Sequence, residues 1–159
     1  LIDNVREILP NCTISQDIIT GFPTETEEDH QDTLSLMNYV KYDYGYMFAY
    51  SERPGTLAAR KIKDDVPEEV KKRRLAEIVA LQRAHCAFRT EAFVGDTFEV
   101  LIEKESKKSN QHWAGRTSQN TMAVFPKKDY KVGEFVMVKI SACTSATLIG
   151  DGIGYPDNN

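Results

Sequence analysis

The sequence predicts an α/β segment followed by an all-β segment, and three observations carry that reading. Apolar residues keep helical or buried-strand spacing to about residue 92. From Phe93 onward they alternate with polar or outward positions, as in Phe98, Val100 and Ile102. Glycines then punctuate the chain at Gly95, Gly115, Gly133, Gly150, Gly152 and Gly154. A change of period from about 3.6 to about 2, with regular turn residues, marks helices giving way to short strands. The boundary falls near Thr90–Gly95 and divides the chain into 1–92 and 93–159.

The elements follow in order. In LIDNVREILP, Leu1, Val5, Ile8 and Leu9 share a helical face. Pro10 ends that helix because it lacks an N–H and clashes with the preceding turn. Ile14, Ile18 and Ile19, bounded by Pro10 and by Gly21-Phe22-Pro23, read as a buried strand. Thr24 and Thr26, with Glu27 and Asp29 three residues on from each, form a capping-box pattern. The helix it opens runs to about Val40, with Leu34, Met37 and Val40 inward. The aromatic-rich YDYGYMFAYS suits a second strand, and Pro54-Gly55 a turn. Pro67 then starts the longest helix, with Glu68 and Glu69 favourably placed in its first turn. Val70, Ile78, Leu81 and Phe88 contribute to its apolar arc, while Lys71, Lys72 and Arg73 read as a solvated face. About five strands follow, and short strands with glycine turns predict a small β-barrel.

Composition narrows the function classes. At 41% hydrophobic residues, the 159-residue chain can build a core. No apolar run approaches the ~18–20 residues of a membrane span, and no signal-peptide pattern is visible. Cys12, Cys86 and Cys143 are too scattered for a disulfide framework or a local metal-ligand pattern, which suits a reducing, cytoplasmic setting. They read as small buried hydrophobes. His30, His85 and His112 read as solvated or core histidines. The net charge of −4 is unevenly spread: residues 1–50 carry nine acids and two bases. Residues 104–131 hold seven bases against Glu105 and Asp129, so local charge permits a nucleic-acid partner that the whole-chain charge disfavours. The chain starts at Leu1 within a helical pattern, so it reads as part of a longer protein.

Three stretches together carry a resemblance. DIITGFPTETEEDHQDT and FAYSERPGTLAA resemble the last third of the radical-SAM barrel in methylthiotransferases. VGDTFEVLIEKESKK, WAGRTSQNTMAVFP and VGEFVMVKISACTSATLIGD resemble a TRAM domain, a small RNA-binding β-barrel of tRNA-modifying enzymes. The resemblance implies the end of a partial (β/α) barrel joined by the long helix to an antiparallel TRAM-type barrel. Gly115, Arg116, Thr117 and Asn120, followed by Ala-Val-Phe, look like the MiaB-type, tRNA-modifying branch. That branch places a methylthio group on C2 of an N6-isopentenyl adenosine beside the anticodon. A sister branch modifies a ribosomal protein.

The resemblance also implies cofactors: two [4Fe–4S] clusters and S-adenosylmethionine in the parent enzyme. Cluster ligands must be thiolates within mutual reach. This chain has no C-x-x-x-C-x-x-C, so it is expected to contain no catalytic or metal-ligating residue, to bind no cluster and to be inactive alone. For S-adenosylmethionine the implied residues are Ile19, Gly21, Glu25, Tyr50 and Arg53. Gly21 would let a ligand approach the backbone and Ile19 would face an adenine. Glu25 accepts hydrogen bonds or supports the next helix. Arg53 suits a carboxylate, an RNA phosphate or a loop-pinning salt bridge. For an anticodon stem-loop the candidates are Lys107, Lys108, Arg116, Lys127 and Lys128 on phosphate, with Trp113, Thr117 and Asn120 near bases. Trp113, in a polar loop, suits stacking or packing; Phe125 suits the core; Asn120 suits a base edge or a turn. A free-standing RNA-binding module and a ribosomal-protein recognition module are the rival readings. The sequence leaves the oligomeric state open.

Overall fold

A computed structural model describes residues 1–157 of the chain. The order of elements is α1 (Ile2–Ile8), β1 (Ser15–Thr20), α2 (Glu27–Val40), β2 (Tyr44–Ala49), α3 (Leu57–Lys61), α4 (Glu68–Glu91), β3 (Thr97–Ser106), β4 (Ser109–Thr117), β5 (Met122–Pro126), β6 (Phe135–Cys143) and β7 (Thr147–Gly154). They form two compact units. One is Ile14–His85; the other takes Leu1–Thr13 and the chain from Cys86 onward.

In the first unit, β1 and β2 lie parallel, in register from Ser15 opposite Tyr44 to Thr20 opposite Ala49. Parallel neighbours need a crossover, and α2 supplies it. The predicted capping box forms at Thr26: its hydroxyl accepts from the Asp29 N–H at 3.2 Å, and Asp29 Oδ2 accepts from the Thr26 N–H at 2.8 Å. Hydrogen bonds from Thr26 hold the Asp29 carboxyl below its usual range. Met37 and Val40 are buried, and Leu34 half-buried. The strand pair is less buried than its sequence suggests, since Ile19 is 58% exposed. Alternation along a two-stranded sheet leaves one face outward, and Ile19, Tyr46 and Phe48 lie exposed on the strands. Helix α3 has no counterpart in the sequence reading; at five residues it is too short to show a periodic pattern.

Helix α4 corrects a second expectation. Lys71 is 1% exposed, not part of a solvated face. Its buried neighbours at helical spacing are Arg74, Ile78, Gln82 and His85, so the inward stripe is mostly polar. Each polar member has a partner. Lys71 Nζ donates to Asp64 at 2.5 Å and to Glu68 at 3.2 Å. Arg74 Nη1 reaches Glu25 at 2.8 Å, and Gln82 donates to the Tyr42 carbonyl and accepts from Gln16. His85 faces Asn38 Oδ1 at 3.3 Å. Burial pulls the Lys71 ammonium down, but its two carboxylates outweigh that and leave its pKa raised. Phe88, read as part of the apolar arc, is instead 55% exposed.

The second unit is built on a closed five-stranded barrel in the order β3-β4-β5-β7-β6. All pairings are antiparallel except β5 with β7, which is parallel. Its core is Val100, Ile102, Ala123, Phe125, Val136, Val138, Ile140 and Leu148, the inward set expected of period-2 strands. Closure leaves no free sheet edge to protect. Gly115 marks the tightest approach: a Cβ there would lie 2.2 Å from the Leu101 carbonyl oxygen. No helix among the described residues is long and apolar enough to cross a membrane.

Candidate cofactor pocket and nucleic-acid interface

The α/β unit carries a pocket of about 430 Å³ at the C-terminal ends of its two parallel strands. Ligands of α/β folds characteristically bind at that edge, because the loops leaving the strands are free to vary there. Ile19 and Phe48 come from the strand ends, Phe22 and Tyr50 from the loops that follow, and Arg53 and Thr56 from the turn into α3. Phe22 and Tyr50 meet edge to face, ring centroids 5.1 Å apart. The Tyr50 N–H donates to the Thr20 carbonyl at 2.8 Å, which extends the strand ladder into the loop and fixes the ring's base. The Arg53 side chain is exposed and has no carboxylate partner among the described residues. The walls are thus aromatic and aliphatic, with one guanidinium at the rim.

Gly21 and Glu25, the other residues singled out from sequence, do not line this pocket. Gly21 has φ +72°, and a Cβ on it would lie 2.4 Å from Lys71 Cγ. Its missing side chain makes room for the lysine stem. Glu25 accepts from the Gly21 N–H at 2.9 Å and from Arg74 at 2.8 Å, an internal brace for the turn. Lys71 Nζ lies 5.5 Å from the Tyr50 ring centroid, so the buried lysine supports the pocket from behind. Nothing in the local sequence distinguishes Lys71 from Lys72; only the packing does. Phe48 was legible as part of an aromatic-rich stretch and Phe22 as part of the turn that bounds β1, though neither with a role.

The barrel separates its basic residues into two groups. Lys107 and Lys108 occupy the turn between β3 and β4, exposed and without a carboxylate partner among the described residues; exposed Lys104 on β3 is the same. Arg116, Lys127 and Lys128 are engaged internally. Arg116 Nε lies 3.3 Å from Glu103, and Nη1 donates to Asn120 Oδ1 at 2.8 Å. Lys127 pairs with Glu105 and stands 4.4 Å over the Trp113 ring. Lys128 bonds Asp151 at 2.9 Å and the Gly152 carbonyl at 2.6 Å.

Trp113 lies in β4, not in a loop, and its Nε1 donates to the Tyr130 carbonyl at 3.0 Å. One ring face is therefore taken by Lys127 and the edge by the barrel. Asn120 adopts φ +60° in the turn that links β4 to β5. The Thr117 N–H and carbonyl close that turn with Thr121 and Asn120 at 3.0 and 2.9 Å. Phe125 is fully buried. Cys12, Cys86 and Cys143 are free and half-buried, and no cluster of potential metal ligands occurs among the described residues.

Comparison with known proteins adds identity to this geometry. Residues 91–157 match the TRAM domain model. Over all 159 residues the chain is 68% identical to the tRNA-2-methylthio-N(6)-dimethylallyladenosine synthase of Christiangramia forsetii. It is 63% identical, again over its whole length, to proteins of the same name from Flavobacterium psychrophilum and Flavobacterium johnsoniae. The chain spans 33% of the length of each of these relatives. The matched stretch includes both the pocket and the barrel. Along its entire length the chain is similar in sequence to these relatives, and its residues 91–157 match the TRAM domain model.

Proposed function

We propose that the chain serves a radical-SAM tRNA methylthiotransferase that adds a methylthio group to C2 of an N6-isopentenylated adenosine beside the anticodon, in the cytoplasm. The identity of 68% across every residue to a protein named for that reaction carries the reading. In it, residues 1–92 supply the closing part of the radical-SAM barrel and residues 93–159 the RNA-binding barrel.

The pocket suits the nucleoside end of S-adenosylmethionine. Ile19, Phe22, Phe48 and Tyr50 offer apolar walls for an adenine, and the Arg53 fork suits the carboxylate. When bound, S-adenosylmethionine supplies the methyl group and the radical precursor. The chain's own part is to bind, orient and exclude water: aromatic walls desolvate the ring, and the braced Gly21 turn holds the loop in place. The three cysteines are free and belong to no group of potential metal ligands, so the described residues offer no cradle for a [4Fe–4S] cluster.

On the barrel, Lys104, Lys107 and Lys108 are the phosphate contacts, because their charges are uncommitted. Arg116, Lys127 and Lys128 must first release Glu103, Glu105 and Asp151. K107A/K108A is expected to weaken binding of a synthetic anticodon stem-loop by about tenfold at low salt and to flatten the salt slope by about 1.5. K127A is expected to do less. Equal loss in both, or none in either, removes the hairpin from the interface.

A further inference from the structure

We infer that residues 53–63 form a second phosphate-binding surface, one that seats RNA backbone at the rim of the α/β pocket; this rests on the RNA-directed reading above. The stretch RPGTLAARKIK contains four bases and no acid: Arg53, Arg60, Lys61 and Lys63. All four side chains are exposed, and none pairs with a carboxylate among the described residues. Three other cations of the same unit are consumed internally: Lys71 by Asp64 and Glu68, Arg73 by Glu27 and Glu77, and Arg74 by Glu25 and Glu27.

The flanking acids are largely committed too. Asp64 holds Lys71, and Asp65 accepts from the Thr24 N–H at 2.7 Å. Glu52 borders the run on its N-terminal side. The run therefore gathers four exposed cations without a carboxylate partner into eleven residues, whereas the other such cations of the unit, Lys72 and Arg83, stand eleven residues apart on α4.

Its backbone is also held in shape. Thr56 caps α3 by accepting from the Ala59 N–H at 3.2 Å and donates its own hydroxyl to the Arg53 carbonyl at 2.9 Å. Arg60 Nε reaches back to the Thr56 carbonyl at 3.4 Å. Arg53, Thr56 and Ala58 line the pocket itself, and Arg60, Lys61 and Lys63 follow within the next five residues of the chain. A target nucleotide brought up to S-adenosylmethionine in that pocket brings its flanking phosphates to the same rim. Lysines and arginines there neutralise phosphate with little sequence readout, which suits positioning more than recognition.

The test compares K61A/K63A with the charge-matched K72A/R83A, whose wild-type side chains are exposed on α4. Binding of a synthetic anticodon stem-loop is measured across a salt series. K61A/K63A is expected to flatten the slope of log K against log salt by about 1.5 and to weaken binding about tenfold at low salt. K72A/R83A is expected to keep the wild-type slope. A wild-type slope in K61A/K63A overturns the inference, and so does an equal loss in K72A/R83A, which would reduce the effect to net charge. If the unsubstituted chain binds no RNA, this inference and the RNA-directed reading fall together. If K107A/K108A weakens binding while K61A/K63A does not, only this inference falls.

Discussion

The two units reach stability by opposite means. The barrel buries eight aliphatic, alanine and phenylalanine side chains in one apolar cluster. The α/β unit buries Lys71, Arg74, Gln82, His85 and His30, and holds α4 with paired charges and hydrogen bonds. An apolar core gains from each area of surface removed from water, without regard to direction. A polar stripe gains only if every partner stands at the right distance, because an unpaired buried charge is costly. The lesson is that periodicity of apolar residues finds the first kind of packing and is blind to the second.

That contrast orders the expected effects of substitution. Phe125→Ala should cost the barrel about 3–5 kcal/mol, measured by urea unfolding followed through the fluorescence of Trp113, the chain's single tryptophan. A loss under about 1 kcal/mol would mean that the barrel core is not the cooperative unit. Arg74→Ala, which strands Glu25, should cost the α/β unit about 3 kcal/mol by helical circular dichroism while leaving the Trp113 transition in place. Simultaneous loss of both signals would show that the units do not unfold separately.

Acid should separate the units as well. Hydrogen bonds from Arg73 above all hold the Glu27 carboxyl down to about 2, and those from His30 and Arg73 lower Glu77. Burial, with Lys41 nearby, lowers His85. These pKa values are depressed in the folded state, so the stability they contribute is present above their ordinary values and lost as pH falls. His85 opens the window near 6.5, and Glu27 extends it down from about 4.5 to about 2. The helical signal should therefore melt before the Trp113 signal on acidification, and the reverse order would sink the assignment. The smallest effect expected is that of Thr26→Ala, which removes the capping box for about 1 kcal/mol in thermal unfolding.

The sequence alone determined what depends on neighbours along the chain. The capping box at Thr26, the turn at Pro54-Gly55, the start of α4 at Pro67 and the alternating barrel strands were all legible, because caps, turns and periods are local chemistry. The aromatic stretch through Tyr50 and the basic stretch from Lys104 to Lys131 were legible as compositions, and supplied the candidate contact residues. Tertiary structure decided the rest. It buried Lys71 beside Gly21 and under Tyr50, turned Glu25 from a candidate ligand contact into a brace for Arg74, and engaged Arg116, Lys127 and Lys128 while leaving Lys107 and Lys108 exposed. The physical reason is that the state of a charged side chain depends on which opposite charge comes within about 4 Å, and that partner can lie tens of residues away.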